Sequence, residues 1–433
     1  MALTFAVARL SLLEILDSRG RPTFEVRVVL DNGAEAIAGV PSGASTGSRE
    51  AMERREGDPA RFGGAGVAGV WAGVRDEVTE RLVGAPWSEL AELDNMLIEL
   101  DGTPNKSRLG ANVIVGISMA CVRAMAISIG ASPFETLTAA VPSRLPVPHF
   151  NVVNGGAHAQ TSLAFQEFMI APVGAASMRE AIRAGAETYQ ALRGALHDDG
   201  YPTGLGDEGG FAPPLTEPEE VLELLTAAVE HAGYEAGPAG IMIAIDPAAS
   251  SFRATSGRYQ LHDGECSTSE LIDRYEFLVD RFPIWSIEDG LGEDDDAGWV
   301  ELTRRLGNRI QLVGDDNFVT NPTTIAEAIE RRIGNAALIK PNQIGTVTET
   351  LQAIEVARNS GYGQMVSHRS GETNDPFVAD LAVGVGCGQV KFGAPARGER
   401  VAKYNRLLEI AACRPDLPFG LPDDQRRFLR AHA

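Results

Sequence analysis

Lysine is almost missing from this chain of 433 residues: of 38 basic side chains only Lys106, Lys340, Lys391 and Lys403 are lysines. Arginine fills the other basic positions. A guanidinium does not deprotonate at working pH, so the surviving lysines are candidates for places where arginine cannot serve, proton transfer above all. Positive charge is scarce as a whole, since 59 acidic residues leave a formal charge of −21. That balance argues against nucleic acid and anionic membranes as partners, because a polyanion is repelled over most of such a surface. Cysteine is scarce too. Cys121, Cys266, Cys387 and Cys413 lie far apart without a Cys-x-x-Cys spacing, which speaks against a zinc site or disulfide framework and for reduced thiols. Residues 1–11 lack the pattern of a signal peptide. No stretch reads as the roughly 18 apolar residues that span a bilayer, and the expected location is the cytoplasm.

What is present divides into two rhythms. Phe24, Val26 and Val28 alternate, Asp31-Asn32-Gly33 supplies a tight turn, and residues 34–40 return as a second strand. Helical patterns follow near Val67–Leu82, Trp87–Leu100 and Ala111–Ile129, so an α+β domain is expected over 1–140. Pro142, Pro146 and Pro148 mark the boundary. Beyond it, short apolar runs end in polar residues: 241–245 leads to Asp246, 283–287 to Glu288, 311–314 to Asp315, 336–339 to Lys340, 364–367 to His368 and 388–390 to Lys391. From Glu288 onward the separations are 27, 25, 28 and 23 residues, each one β-α unit long. The intervals hold helical patterns at 323–333, 346–359 (opened by a Thr346-x-x-Glu349 capping box) and 376–385. Repeated units of this length predict an α/β fold with a closed (β/α)8 barrel over 141–433, its active site at the C-terminal ends of the strands.

Asp246, Glu288 and Asp315 would then project from three consecutive strands into one mouth. Three carboxylates without a cysteine or histidine ligand suit a hard, oxygen-preferring cation such as Mg²⁺. Glu288-Asp289 and Asp315-Asp316 are both acidic pairs, and the pattern does not say which member binds. Lys340 ends the next strand, where a neutral amine can act as a base. Lys391 fits a charge-neutralising role.

Six segments resemble the enolase family in its own order: Glu14-Ile-Leu-Asp-Ser-Arg-Gly-x-Pro-Thr, Val40-Pro-Ser-Gly-Ala-Ser-Thr-Gly, Gly206-Asp-Glu-Gly-Gly-Phe-Ala-Pro, Lys340-x-Asn-Gln-Ile-Gly-Thr, Ser367-His-Arg-Ser-Gly-Glu-Thr and Gln389-Val-Lys-x-Gly-Ala-Pro-Ala-Arg. The resemblance implies an N-terminal α+β domain followed by a modified (β/α)8 barrel. It implies dehydration of 2-phosphoglycerate to phosphoenolpyruvate with two Mg²⁺ ions per site, the first held by Asp246, Glu288 and Asp315. Ser45, in an active-site loop at 41–47 expected to be mobile, would ligate the second. Lys340 would abstract the C2 proton and Lys391 would neutralise the substrate carboxylate. Glu208, assisted by Glu167, would protonate the departing hydroxyl, which needs an acid kept protonated by crowding among carboxylates. Gln166, His158 and His368 would line the substrate, and Arg369 and Ser370 would grip its phosphate. The family habit also implies a homodimer or higher homo-oligomer.

The chain departs from the family pattern near the site, at Gln160–Leu163, at Phe392 in place of a threonine, at Pro247 and at Asn317. These positions raise an alternative: a relative from phosphonate biosynthesis, of the carboxyphosphonoenolpyruvate synthase type, using the same enolate machinery on a reshaped pocket. A non-catalytic binding protein on the same scaffold is opposed by the intact acids and lysines.

Overall fold

The computed structural model describes residues 3–43, 47–138, 141–159 and 162–430. Its first part is a four-stranded sheet of β1 (Phe5–Leu16), β2 (Pro22–Leu30), β3 (Glu35–Gly39) and β4 (Pro86–Trp87), in the order β3-β2-β1-β4. Phe24, Val26 and Val28 are fully buried along β2, as their period of two requires. The turn to β3 closes on Gly33 at φ 87°, a left-handed conformation that glycine adopts without a side-chain clash. Four helices follow: α1 (Ala68–Leu82), α2 (Leu90–Asp101), α3 (Ala111–Ile129) and α4 (Pro133–Thr136). α2 starts later than its apolar pattern, because Pro86 and Trp87 pair with β1.

α3 has the length and mean hydropathy (19 residues, 1.8) of a membrane span, which corrects the expectation that no segment does. Here it is a core helix. It packs on β2 and β3, and 72% of its apolar window is buried.

The second part is a closed barrel of eight strands: β5 (Val147–Asn154), β6 (Glu167–Ala171), β7 (Met242–Asp246), β10 (Ile284–Glu288), β11 (Gln311–Gly314), β12 (Ala336–Ile339), β13 (Gly363–Ser367) and β14 (Gly388–Lys391). The small hairpin β8 (Tyr259–Leu261) and β9 (Gly264–Cys266) stands outside it. Strand β6 runs antiparallel to both neighbours, while the other ladders are parallel. This is the modification of the (β/α)8 plan. Helices α5 (Met178–Asp198) and α6 (Pro218–His231) separate β6 from β7, and α7 (Thr268–Arg281) precedes β10. After that come α8 (Asp296–Leu306), α9 (Pro322–Arg331), α10 (Pro341–Ile344), α11 (Val347–Asn359), α12 (Phe377–Gly384), α13 (Gly398–Cys413) and α14 (Arg427–Arg430).

All four lysines lie at buried or nearly buried ion pairs. Lys106 binds Glu349 at 2.5 Å and Lys403 binds Glu372 at 2.9 Å. The Lys106 pair ties the first domain to α11. It also halves the predicted capping box: Thr346 Oγ1 accepts from Glu349 N at 3.0 Å, but the Glu349 carboxylate takes Lys106 on Oε1 and the Thr346 hydroxyl on Oε2 instead of the N-cap amide. A second tie joins Arg123 on α3 to Asp375 before α12.

Candidate active site

Each predicted strand-end residue stands at the C-terminal mouth of the barrel. Asp246, Glu288 and Lys391 close β7, β10 and β14, while Asp315, Lys340 and His368 directly follow β11, β12 and β13. His158 lies just beyond β5, in the turn Gly156–His158. Glu167 reaches the same mouth by a different route. It begins β6, and because that strand runs backwards its first residue pairs with Asp246 and with Asn154. Glu208 is on no strand at all. Its loop folds back over the mouth through Phe211 N→Val152 O and Asn154 N→Phe211 O, and Gly206 and Gly210 leave room for Asn154, which a Cβ would meet at 2.5 and 2.8 Å.

All of these groups except Glu288 line one small cleft of about 290 Å³ with Gln166, Ser367, Arg369 and Ser370. A roomier cleft of about 1020 Å³ lies between the domains, lined by Asp17, Arg123 and Glu372 among others. What distinguishes the smaller one is the convergence of buried ionisable groups. Lys391 Nζ stands 2.7 Å from Glu288 Oε1, 2.9 Å from Asp246 Oδ2 and 3.0 Å from Glu167 Oε2. Lys340 Nζ is 2.5 Å from Asp315 Oδ2, and Gln343 Nε2 donates to Asp315 Oδ1 at 2.8 Å. The acidic pairs divide their work. Glu288 faces Lys391, whereas Asp289 accepts the backbone amides of Asp315 and Asp316 at 2.9 Å each.

Charge states follow from this crowding. Burial, then Asp246, pushes Glu288 well above the usual carboxylate range. Burial pulls Lys391 down, but Asp246, Glu167 and Glu288 outweigh it and hold the ammonium firmly protonated. Lys340 behaves alike: burial opposes its charge and Asp315 overcomes that, so its pKa is raised. The neutral amine expected of a resting base is therefore not what the free site holds.

Glu208 also departs from expectation. Burial alone would raise its pKa, yet His368, His158 and Arg400 outweigh burial and hold the carboxyl well below its usual range. Glu167 moves the other way, raised by burial and then by Glu208. His158 Nδ1 lies 3.3 Å from Glu167 Oε1 and 3.7 Å from Glu208 Oε1. Burial lowers the pKa of that ring, but the two carboxylates raise it further. The proton of this trio is thus shifted toward Glu167 and His158.

Two family models match the chain, one described as the enolase N-terminal domain over residues 7–137 and one as the enolase C-terminal TIM barrel domain over 142–413. The chain belongs to the enolase family. Enolases of Acidothermus cellulolyticus and Kineococcus radiotolerans are 54% and 53% identical to it over 397 residues, 92% of each chain. The enolase of Mycobacteroides abscessus is 51% identical over the same length.

Membership of the enolase family implies a divalent cation of the Mg²⁺ type, and the residues present fit one. The donors are oxygens, Glu288 Oε2 is buried without a hydrogen-bond partner among the described residues, and carboxylates outnumber the cations Lys340, Lys391 and Arg369. Of the three predicted ligands, Asp246 and Glu288 converge on Lys391, while Asp315 pairs with Lys340. Among the described residues, the groups whose ligand atoms lie within 4.8 Å of one another are His158–Glu167–Glu208 and Asp289–Asp315–Asp316. Ser45, Gln160 and Thr161 lie outside the described residues.

Phe392 and Arg369 differ in what they face. Phe392 does not face the cleft. It lies one residue past β14 and is absent from the cleft lining; its ring is fully buried with its centroid 5.9 Å from that of Tyr404. It cannot narrow the pocket directly. Arg369, by contrast, does line the cleft, and its partner is one that sequence reading missed: Glu50, whose two oxygens take Nη1 at 2.9 Å and Nη2 at 3.2 Å. Asn342 Oδ1 accepts from Arg369 Nη1 at 3.1 Å. Asn342 and Gln343 sit inside the Lys340 motif, which was the available signal for them. Glu50 had none beyond its place three residues after Gly47.

Proposed function

We propose that this chain converts 2-phosphoglycerate to phosphoenolpyruvate, with Lys340 removing the C2 proton and Glu208, supplied from Glu167 and His158, assisting loss of the C3 hydroxyl. The supporting observation is the ring order. β12, which carries Lys340, and β6, which carries Glu167, are four strands apart in a barrel of eight and so face each other across the mouth. A base on one wall and a proton-bearing carboxyl on the other suit removal of a proton and a hydroxyl from opposite sides of one substrate.

The substrate carboxylate would meet Lys391, and the phosphate would meet Arg369 and Ser370, with the guanidinium oriented by Glu50. Gln166 and His158 would complete the contacts. Asp246, Glu288 and Asp315 would hold the first Mg²⁺, and Ser45 would contribute to a second. Bound there, the ions would supply positive charge for the dianionic enolate that loss of an α-proton from a carboxylate creates. Lys340 has to leave Asp315 and shed its proton before it can accept another. Glu167, raised by burial, can pass a proton toward Glu208 through the short approach of both to His158.

The same reading takes 1–140 and 141–433 as the two domains, the cytoplasm as the compartment and a homo-oligomer as the working form. Leu13 and Leu16, about 60% and 57% exposed on β1, offer apolar surface for the last of these. With Phe392 packed into the core, the phosphonate-pathway alternative loses one of the positions on which it rests. The test is direct. Purified protein with 2-phosphoglycerate and Mg²⁺ should produce the ultraviolet absorbance of an enol phosphate at a rate on the order of 10–100 s⁻¹, and exhaustive chelation should abolish it. A trace rate that rises only with a phosphorus-bearing co-substrate would reject this reading.

A further inference from the structure

Arg400 lies in the first turn of α13, three residues past the Gly393–Arg397 motif, and it is fully buried. Its Nη1 stands 2.6 Å from His368 Nδ1 and donates to Arg369 O at 2.5 Å. Its Nη2 donates to Ser370 O at 2.6 Å and to Asp207 O at 3.2 Å. One side chain thus joins both loops that carry the proton-transfer and phosphate residues. Space is kept for it: a Cβ on Gly393 would come within 2.8 Å of Arg400 Cδ and 2.9 Å of His368 Cε1.

A guanidinium has donors and no acceptor. The His368 nitrogen that faces it must therefore offer a lone pair, and the ring proton must sit on Nε2. That atom lies 3.0 Å from Glu208 Oε2, which also accepts from Asn151 Nδ2 at 3.0 Å. We infer that Arg400 is a positioning residue that fixes His368 as the neutral Nε2–H tautomer and thereby makes the ring a permanent donor to Glu208. The other tautomer would set Nδ1–H against a guanidinium N–H, and an imidazolium would place two cations in contact without water between them. Burial acts in the same direction and, opposed by Glu208 but aided by Arg400 and Lys391, brings the ring down to about 3.

The consequence is a division of labour between the two histidines. His368 does not exchange protons during turnover. It pins Oε2 of Glu208, so that Oε1 remains turned toward His158, the ring that can carry a proton. This rests on the reading of Glu208 as the group that acts on the leaving hydroxyl.

Nitrogen-15 NMR of the full chain labelled at histidine reads the tautomer, with His368→Gln identifying the signal among the seven histidines. A pyridine-type Nδ1 and a pyrrole-type Nε2, unchanged from mildly acidic to mildly alkaline buffer, are expected. A protonated Nδ1, or an imidazolium at neutral pH, overturns the inference. Arg400→Gln, whose side-chain oxygen can accept from Nδ1–H, should release the tautomer preference and lower kcat by about 10²-fold with little effect on KM. In a His368→Gln background the same change should cost less than about twofold. Equal losses in both backgrounds would show a merely structural arginine and defeat the proposal. Should Arg400→Gln fail to fold, the wild-type spectrum decides alone. If instead Glu208→Gln kept full dehydration, the role of Glu208 would fall while the spectrum stood.

Discussion

Asp375→Asn tests how the two domains are held to a common active site. The Asp375 carboxylate accepts from Arg123 Nη1 at 2.5 Å and Nη2 at 2.6 Å, and from the backbone amides of Gly39 and Phe377 at 2.8 Å each. Arg123 and Gly39 belong to the first domain, and Asp375 lies six residues after Arg369. The side chains are only 15% and 9% exposed, so little solvent screening discounts the pair. Asparagine keeps the shape but removes the charge and turns one of the two accepting oxygens into an amide donor, so the guanidinium loses its ionic partner and keeps Ile37 O at 2.7 Å. Breaking a buried pair in this way costs about 3–5 kcal/mol. Burial raises the Asp375 pKa, but Arg123 and the two amides lower it more, so the folded value lies below the unfolded one. The stabilisation is therefore full above the unfolded carboxylate range, near 3.9, and is lost as pH falls through the folded value. Urea midpoints of wild type and variant should differ most at neutral pH and converge in acid. Adding Arg123→Met should recover part of the loss, because no unpaired charge then remains buried. A neutral-pH loss under about 1 kcal/mol, as for a solvated surface pair, or a gap that does not shrink in acid, would refute the reasoning.

The two proton-transfer roles separate by isotope exchange. Lys340→Arg keeps the charge beside Asp315 but cannot accept a proton, so C2 exchange in D₂O and dehydration should both fall by about 10²–10⁴; retention of most of the exchange would reassign Lys340 to charge pairing. Glu208→Gln should block dehydration yet leave C2 exchange measurable, and loss of both would place Glu208 earlier in the reaction. Phe392→Thr should lower stability by about 3–5 kcal/mol through the cavity it leaves against Tyr404. Its ratio of kcat/KM between substrates should not change, and a shifted preference would show that Phe392 does shape the cleft.

Residue order alone determined the ladder of Asp246, Glu288, Asp315, Lys340, His368 and Lys391. A parallel barrel sends every strand's C-terminal end to one mouth, so spacing and apolar runs suffice to place those side chains. Phe392, one residue past β14, packs against Tyr404 instead of lining the cleft, although its departure from the family pattern suggests a pocket residue. Tertiary structure decided what no local rule reaches. Glu167 enters the mouth from the start of a strand because β6 alone runs antiparallel. Glu208 and Glu50 arrive on loops and Arg400 on helix α13, and no periodicity marks them. Charge states belong to that second class. Glu208 is held ionised by His368, 160 residues away in sequence, while Glu167 is pushed toward its protonated form. Burial and neighbouring charge act through space, so which of two identical carboxyl groups keeps the proton is settled only when the chain has closed around both.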